Sequence, residues 1–265
     1  MIKAVLAPTT RSEWEDSLIS PSTFTTLTLQ KCQNYLEAAH FRPLLNILPS
    51  GSSILEAGCG YGQNAYAFVF TGHRCIGLDF SHKVLFHARK RPVDHPKLQL
   101  HIDWVQGNIL NLPIGSDVLD CHASFGVLEH FTRPQQRKIL SEAYRVLRPG
   151  GILYLYVPNF WSLWTLRRQL SYWFRKFVPP HLVWQRNMSK SVLRKLCSGA
   201  GFKMELIQSF YASNAFDSAL SLPSFISRFV PARISSISAQ HMSKLGQWCD
   251  DQNLLGYGLV CICRK

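Results

Sequence analysis

The chain has 265 residues, of which 46% are hydrophobic and 17% charged, with a formal net charge of +13 and a sequence pI of about 9.6. That length buries one full core with room for an added lobe. No apolar run reaches the ~20 residues of a membrane span, and residues 1–16 mix Lys3, Arg11, Glu13, Glu15 and Asp16 without the apolar centre of a signal peptide, so the expected location is the cytoplasm.

Residues 1–29 are polar, irregular and rich in Ser and Thr, and are expected to form an N-terminal cap. Residues 30–48 read as a helix, with Cys32, Tyr35, Leu36, Ala39, Leu44, Leu45 and Leu48 at roughly helical spacing and Pro43 kinking or dividing it. Strands and helices then alternate. Residues 53–57 are the first strand and 63–70 the first helix; 75–79 are the second strand, and Ser81 caps a helix running to Arg91. Strands follow at 98–105 and 119–124, a helix at 135–147, and a strand at 152–157. A helix at 191–200 and strands at 202–210 and 255–263 end the chain. Such alternation argues for a mostly parallel sheet covered on both faces.

Residues 54–62 read Ile-Leu-Glu-Ala-Gly-Cys-Gly-Tyr-Gly: an apolar strand, an acid, and glycines at alternate positions before a helix. A main chain without Cβ atoms lets a nucleotide-like ligand lie against it. A nicotinamide or flavin fold asks for G-x-G-x-x-G, and Gln63 stands in its third glycine slot. Asp79 ends the second strand 19 residues after Gly60. It can accept hydrogen bonds from a ribose, or serve as the acid at the start of the helix that follows.

These motifs, taken with Gly77-Leu78-Asp79-Phe80-Ser81, Gly107-Asn108-Ile109 with Leu112-Pro113, Asp120 through Val127-Leu128-Glu129-His130-Phe131, and Val146-Leu147-Arg148-Pro149-Gly150-Gly151, resemble the class I S-adenosylmethionine-dependent methyltransferases. The nearest branch is the small-molecule one related to ubiquinone and menaquinone methyltransferases. The likeness spans about residues 30–160 and is loose beyond them.

The resemblance implies an α/β fold with a Rossmann-like seven-stranded sheet, mostly parallel, helices on both faces, the last strand antiparallel, and helical lid insertions. It implies S-adenosyl-L-methionine as cofactor and S-adenosyl-L-homocysteine as product. Glu56 would reach the methionine amino end. Ala57, Gly58, Cys59 and Gly60 would bring the backbone to the cofactor. Asp79 would hold the ribose with Phe80 against the adenine, and Asn108 and Ile109 would meet the adenine, Asn108 at its exocyclic amine. Ser124 and Phe125 would flank the methionine chain. The first-motif acid is Glu where Asp is commoner. His130 is the candidate general base by its place after the fourth strand; the alternative is a histidine packing a helix start. Tyr61 and His181 are weaker candidates, and His122 reads as a buried strand residue.

The domain reading is a cap at 1–29 and a catalytic domain at 30–265, with insertions at 159–188 and 212–254 forming a substrate lid. Residues 160–178 combine Leu163, Leu166, Leu170, Trp173, Phe174 and Phe177 on one helical face with Arg168, Arg175 and Lys176 largely off it. A core helix, a lid over an apolar pocket and docking to an anionic membrane surface all suit that pattern. The charge is lopsided: residues 160–265 hold 14 Lys and Arg against 4 Asp and Glu.

Nucleic acid is not expected as a partner. A basic pI supplies only non-specific affinity, no zinc-knuckle spacing is present, and Ser124-Phe125-Gly126-Val127 stands where an adenine N6-methyltransferase would carry N/D-P-P-Y/F. The cysteines show no metal spacing, and none is assigned to a metal or disulfide. The expected function is methyl transfer to a small, largely apolar or amphiphilic acceptor at oxygen. The alternatives are a membrane-associated quinone or lipid C- or O-methyltransferase, and a non-catalytic S-adenosylmethionine-binding protein with a basic partner- or RNA-binding surface. The oligomeric state is left open.

Overall fold

The computed structural model describes residues 28–91, 102–162, 165, 186, 188–211 and 256–265. The expected N-terminal cap, most of both insertions, His181 and the amphipathic stretch after Thr165 lie outside the described residues.

Seven strands form one sheet in the order β3-β2-β1-β4-β5-β7-β6. They are β1 (Ser53–Ala57), β2 (Arg74–Asp79), β3 (Ile102–Gln106), β4 (Leu119–Phe125), β5 (Leu147–Pro158), β6 (Lys203–Phe210) and β7 (Gly258–Arg264). β1 pairs in parallel with β2 and β4, β2 with β3, and β4 with β5. β7 runs antiparallel to both β5 and β6. The antiparallel final strand expected from the resemblance is therefore present, inserted between β5 and β6. β1 and β7 are apolar almost throughout because both their faces are covered, which is why they read as continuous hydrophobic runs.

Helices cover both faces. Leu55 and Ala57 of β1 pack in a core with Ile139, Leu140 and Ala143 of α5 (Arg133–Val146) and Leu193 of α6 (Lys190–Gly199). Ile54 faces the other core, with Phe41, with Leu44 of α2 (Arg42–Leu45), and with Ala65 and Phe68 of α3 (Gln63–Phe70). The caps are chemical. Ser81 Oγ accepts from the Val84 N–H at the start of α4 (His82–Arg89), Gln135 Oε1 accepts from the backbone N–H and hydroxyl of Thr132 ahead of α5, and Ser189 Oγ accepts from the Val192 N–H of α6.

The helix over 30–48 is divided, as Pro43 suggested, into α1 (Leu29–Glu37) and α2, with Pro43 in the first turn of the second. A proline ring crowds the carbonyl four residues back, and the helix breaks there. β5 begins at Leu147 rather than 152, because the chain's end holds the intervening turn. Gly150 N–H donates to Lys265 O, Lys265 N–H to Gly151 O, and Arg264 Nη1 to Gly150 O.

The described cysteines are buried free thiols, and Cys197, Cys261 and Cys263 join α6 to β7 with Cys261 and Cys263 Sγ 3.5 Å apart. No helix among the described residues is long and apolar enough to cross a membrane.

His122 sits in the middle of β4, fully buried, with neither ring nitrogen hydrogen-bonded. Burial lowers its pKa from 6.5 to about 4. A histidine held neutral in this way supports the fold above its unfolded pKa and costs stability as pH falls from about 6.5 toward 4. His122→Leu should therefore raise stability at neutral pH by about 1–3 kcal/mol, the desolvation of one unsatisfied polar group. Its advantage in urea unfolding should widen on acidification to pH 5.

Candidate active site

The strand order reverses between β1 and β4, and a crevice opens at their carboxyl ends, where open α/β sheets take ligands. It is a cavity of about 850 Å³, toward the upper end for small-ligand sites. Four chain segments wall it: the turn after β1, the end of β2, the loop after β3, and the end of β4 with the short 3-10 helix Leu128–His130.

The first turn is tied to β2. The N–H groups of Gly58 and Cys59 both donate to Leu78 O, at 2.8 and 2.9 Å. Gly60 N–H donates to Asp79 Oδ2 at 3.0 Å, and Ser81 N–H to Asp79 Oδ1 at 3.0 Å. Gly60 has φ +51°, and a Cβ there would meet nothing within 4 Å, so its open side faces the cavity. Gly62, at φ +71°, is glycine for another reason: a Cβ would come within 2.0 Å of the Trp104 ring. Trp104 of β3 is thus the floor beneath the turn.

Glu56 is 2% exposed. Asn64 Nδ2 donates to its Oε1 at 2.9 Å, and its Oε2 is buried without a hydrogen-bond partner. Burial pushes its carboxyl up to about 8; the bonds from Asn64 and the Ala65 backbone offset part of this, and the charge of Asp79 adds to it. Cys59 is buried beside the same two acids, and its thiol is pushed up, so it stays protonated.

Of the residues singled out from the sequence, Glu56, Gly58, Cys59, Gly60, Asp79, Phe80, Asn108, Ile109, Phe125 and His130 all border the cavity, as does Tyr61. Phe80 is 38% exposed. Asn108 Oδ1 accepts from Leu110 N–H at 2.9 Å, which turns its loop. His130 is 7% exposed, with Nε2 3.7 Å from Glu129 Oε1. Ala57 and Ser124 are not in the wall. Both are buried in the sheet, Ala57 in the α5-side core and Ser124 in register with Leu155. His122 is likewise internal to β4.

Several supports were not singled out beforehand. Asn64 pins Glu56, and Trp104 floors the turn. Glu142 on α5 accepts from Leu112 N–H at 2.9 Å while Arg145 bonds Leu112 O and Ile114 O, so a salt bridge on the far helix holds the loop that carries Asn108 and Ile109. The Arg145 guanidinium holds Glu142 down at about 2. The Leu112-Pro113 segment was visible as a motif; its partner on α5 was not, since Glu142 and Arg145 at i,i+3 read as an ordinary surface pair.

A sheet of this order with a glycine turn and an acid at the end of β2 defines a class of proteins that bind a nucleoside-bearing cofactor at the β1–β4 crevice. Residues 55–155 match the methyltransferase domain family. A protein of Mycolicibacterium smegmatis named "probable S-adenosylmethionine-dependent methyltransferase" is 31% identical over 156 residues, 59% of this chain and 54% of that protein. The ubiquinone/menaquinone biosynthesis C-methyltransferase UbiE of Roseobacter denitrificans is 35% identical over 108 residues, 39% of this chain and 41% of that protein. The chain thus spans about half the length of the curated relatives it matches. Among solved structures, a SAM-dependent methyltransferase from Archaeoglobus fulgidus superposes with a TM-score of 0.59 at 16% identity, covering 87% of this chain and 94% of that one. Residues 55–155 match that domain family and the chain has the class I methyltransferase fold, and match and fold together imply S-adenosyl-L-methionine as the cofactor.

The buried Glu56 makes a pH prediction. Its folded pKa lies above the unfolded 4.5, so the protonated form is the one the fold favours. Its contribution is complete below about 4.5 and is lost as pH rises toward 8, by up to about 1.4 kcal/mol per pH unit. In ligand-free protein, wild-type stability relative to Glu56→Gln should fall between pH 5.5 and 7.5 in urea titrations. Parallel curves for the two proteins would place the carboxyl's folded pKa below that window.

Proposed function

We propose that this protein transfers the methyl group of S-adenosylmethionine to a small, largely apolar acceptor at oxygen. One observation carries the reading: a buried carboxylate, Glu56, with an unpartnered oxygen in the cavity wall beside an open glycine turn. A lone buried acid is costly, and a cationic amino group arriving there would compensate it. The cofactor, when bound, supplies a sulfonium-activated methyl group.

Each wall segment then has a task. Glu56 holds the amino end of the methionine moiety. The backbone of Gly58, Cys59 and Gly60 lies against the cofactor. Asp79 accepts from the ribose hydroxyls with whatever acceptor capacity its two backbone bonds leave. Phe80, Asn108 and Ile109 enclose the adenine, and Phe125 borders the methionine chain. Ala57 and Ser124 act from beneath, by fixing the strand ends. His130 takes the proton of the acceptor hydroxyl, and the adjacent Glu129 carboxylate favours the imidazolium that forms. Positioning does much of the remaining work, since an in-line approach in a water-poor site lowers the barrier without further chemistry. The relative named UbiE is a C-methyltransferase, and that likeness supports carbon as the second reading for the accepting atom.

Calorimetry with S-adenosylmethionine is the primary test: micromolar binding is expected, and no heat at millimolar cofactor would sink the proposal. Glu56→Gln should weaken binding about tenfold to a hundredfold, the range for a hydrogen bond to a charged group.

The role of His130 is read from release of S-adenosylhomocysteine across a panel of phenols, hydroxy fatty acids and quinols. His130→Gln should cut turnover about 100- to 10,000-fold with cofactor affinity unchanged. Retained turnover with an unaltered pH profile would remove His130 as the base.

A further inference from the structure

One cluster of metal-ligating side chains has no part in methyl transfer. It lies between α6 and the sheet, and none of its members borders the cavity. Cys261 and Cys263 stand two residues apart on β7, so strand alternation puts both on one face. α6 packs on that face and lays Cys197 against them. Cys261 Sγ is 3.9 Å from Cys197 Sγ and 3.5 Å from Cys263 Sγ, and the three sulfur atoms all lie within 4.8 Å of one another. All three are free thiols and fully buried.

The size of this triangle suits an ion at its centre. A thiolate sulfur sits about 2.3 Å from a zinc-sized ion, so three of them around one ion stand about 4.0 Å apart in a flat arrangement. The separations of 3.5 and 3.9 Å need to open by only a few tenths of an ångström to reach that spacing. A disulfide suits the pair on β7 less well. Residues two apart on a strand have Cα atoms about 6.7 Å from each other, at the far limit of the span a disulfide covers.

The surroundings select the kind of ion. Among the described residues the group contains no histidine or carboxylate. Met204 of β6 is the register partner of Cys263 and packs against the same core, whose other members nearby are Leu193, Leu196, Phe202 and Ile207. Structural zinc asks for four ligands in a tetrahedron. Three thiols with a thioether as neighbour, and no hard ligand, favour a soft monovalent ion, Cu(I). The sequence does not announce the set, because Cys197 lies 64 residues before Cys261.

We propose that Cys197, Cys261 and Cys263 form a binding site for one Cu(I) ion. Each thiol that ligates gives its proton to solvent as the sulfur–copper bond forms, and no electron is transferred. The bound ion ties α6 to β7 from within the core. The site is independent of the methyl-transfer reading, since it shares no residue with the cavity wall.

The test uses the full chain, reduced and anaerobic, titrated with Cu(I) against a chromophoric Cu(I) chelator. The bound ion is read by X-ray absorption. Retention of one Cu(I) per chain in a shell of sulfur alone is expected. Outer partners of a metal ligand are themselves worth 10- to 100-fold in affinity, so Cys197→Ala, Cys261→Ala and Cys263→Ala should each weaken binding by at least about 100-fold. Cys32→Ala, a buried thiol outside the cluster, should stay within twofold. One equivalent of Cu(I) should raise the melting temperature of the wild type and leave that of Cys261→Ala unchanged. Circular dichroism certifies folding, and Cys261→Ser, of nearly the same volume, takes the place of an alanine variant that does not fold. Loss of the ion to the chelator, affinity within twofold of wild type in all three cluster variants, or nitrogen or oxygen in the copper shell would each overturn the proposal.

Discussion

The hydrogen bond from Gly60 N–H to the Asp79 carboxylate is the constraint on which the site is built. It closes a clamp that starts where Gly58 and Cys59 N–H share Leu78 O, and it continues through Ser81 N–H on the other carboxylate oxygen. The ends of β1 and β2 are thereby one rigid unit. Asp79 could be read from the sequence as a ribose acceptor or as an acid at a helix start. It is also something neither reading contains, the clasp of the glycine turn. Replacing it would unfasten the turn before any effect on a ribose could be felt. The same economy appears at Gly62, where the space glycine leaves is filled by Trp104 and not by a ligand.

Above that rigid turn the site holds an imbalance. Glu56 has been taken out of water with bonds from Asn64 and the Ala65 backbone and with Oε2 left without a partner. Its carboxyl responds by holding its proton to about pH 8. A buried acid with this pKa is poised: a cation beside it would lower the pKa and convert a destabilising group into a binding one. The contrast with Glu142 is instructive. The same side chain, bonded by Arg145 and Leu112 N–H, is held down at about 2 and does purely structural work. Partner supply separates the two.

How much of this was legible follows from what kind of interaction set each feature. The strand β1 showed in the sequence because burial on both faces writes a nearly continuous apolar run, and α3 because a glycine turn precedes it and Thr71-Gly72 ends it. The cavity wall showed because Glu56, Asp79, Asn108 and His130 lie in short local motifs. The supports did not show. Asn64 to Glu56 spans a turn, Glu142 to Leu112 spans 30 residues, and His40 to Tyr211 spans 171. No period or motif announces pairs made only by the tertiary fold. Ala57 and Ser124 are the converse: they stand in the motifs, yet neither borders the cavity.

The cavity wall and the aromatic cluster beside it are built under different rules. The wall rests on one chain stretch, β1 through the end of β4, tied by backbone hydrogen bonds. The cluster is assembled from residues far apart in sequence: His40 before the first strand, Tyr156 on the fifth, Tyr211 after the sixth. Its rings depend on β7 lying between β5 and β6, because that insertion brings the end of β6 to the edge shared with Tyr257 and Asn159. A side built in this way can change its rings without disturbing the clamp at Gly60. The family match, ending at residue 155, stops one residue short of Tyr156 and includes neither His40 nor Tyr211. That is the division expected where the shared fold and the residues added around it vary independently.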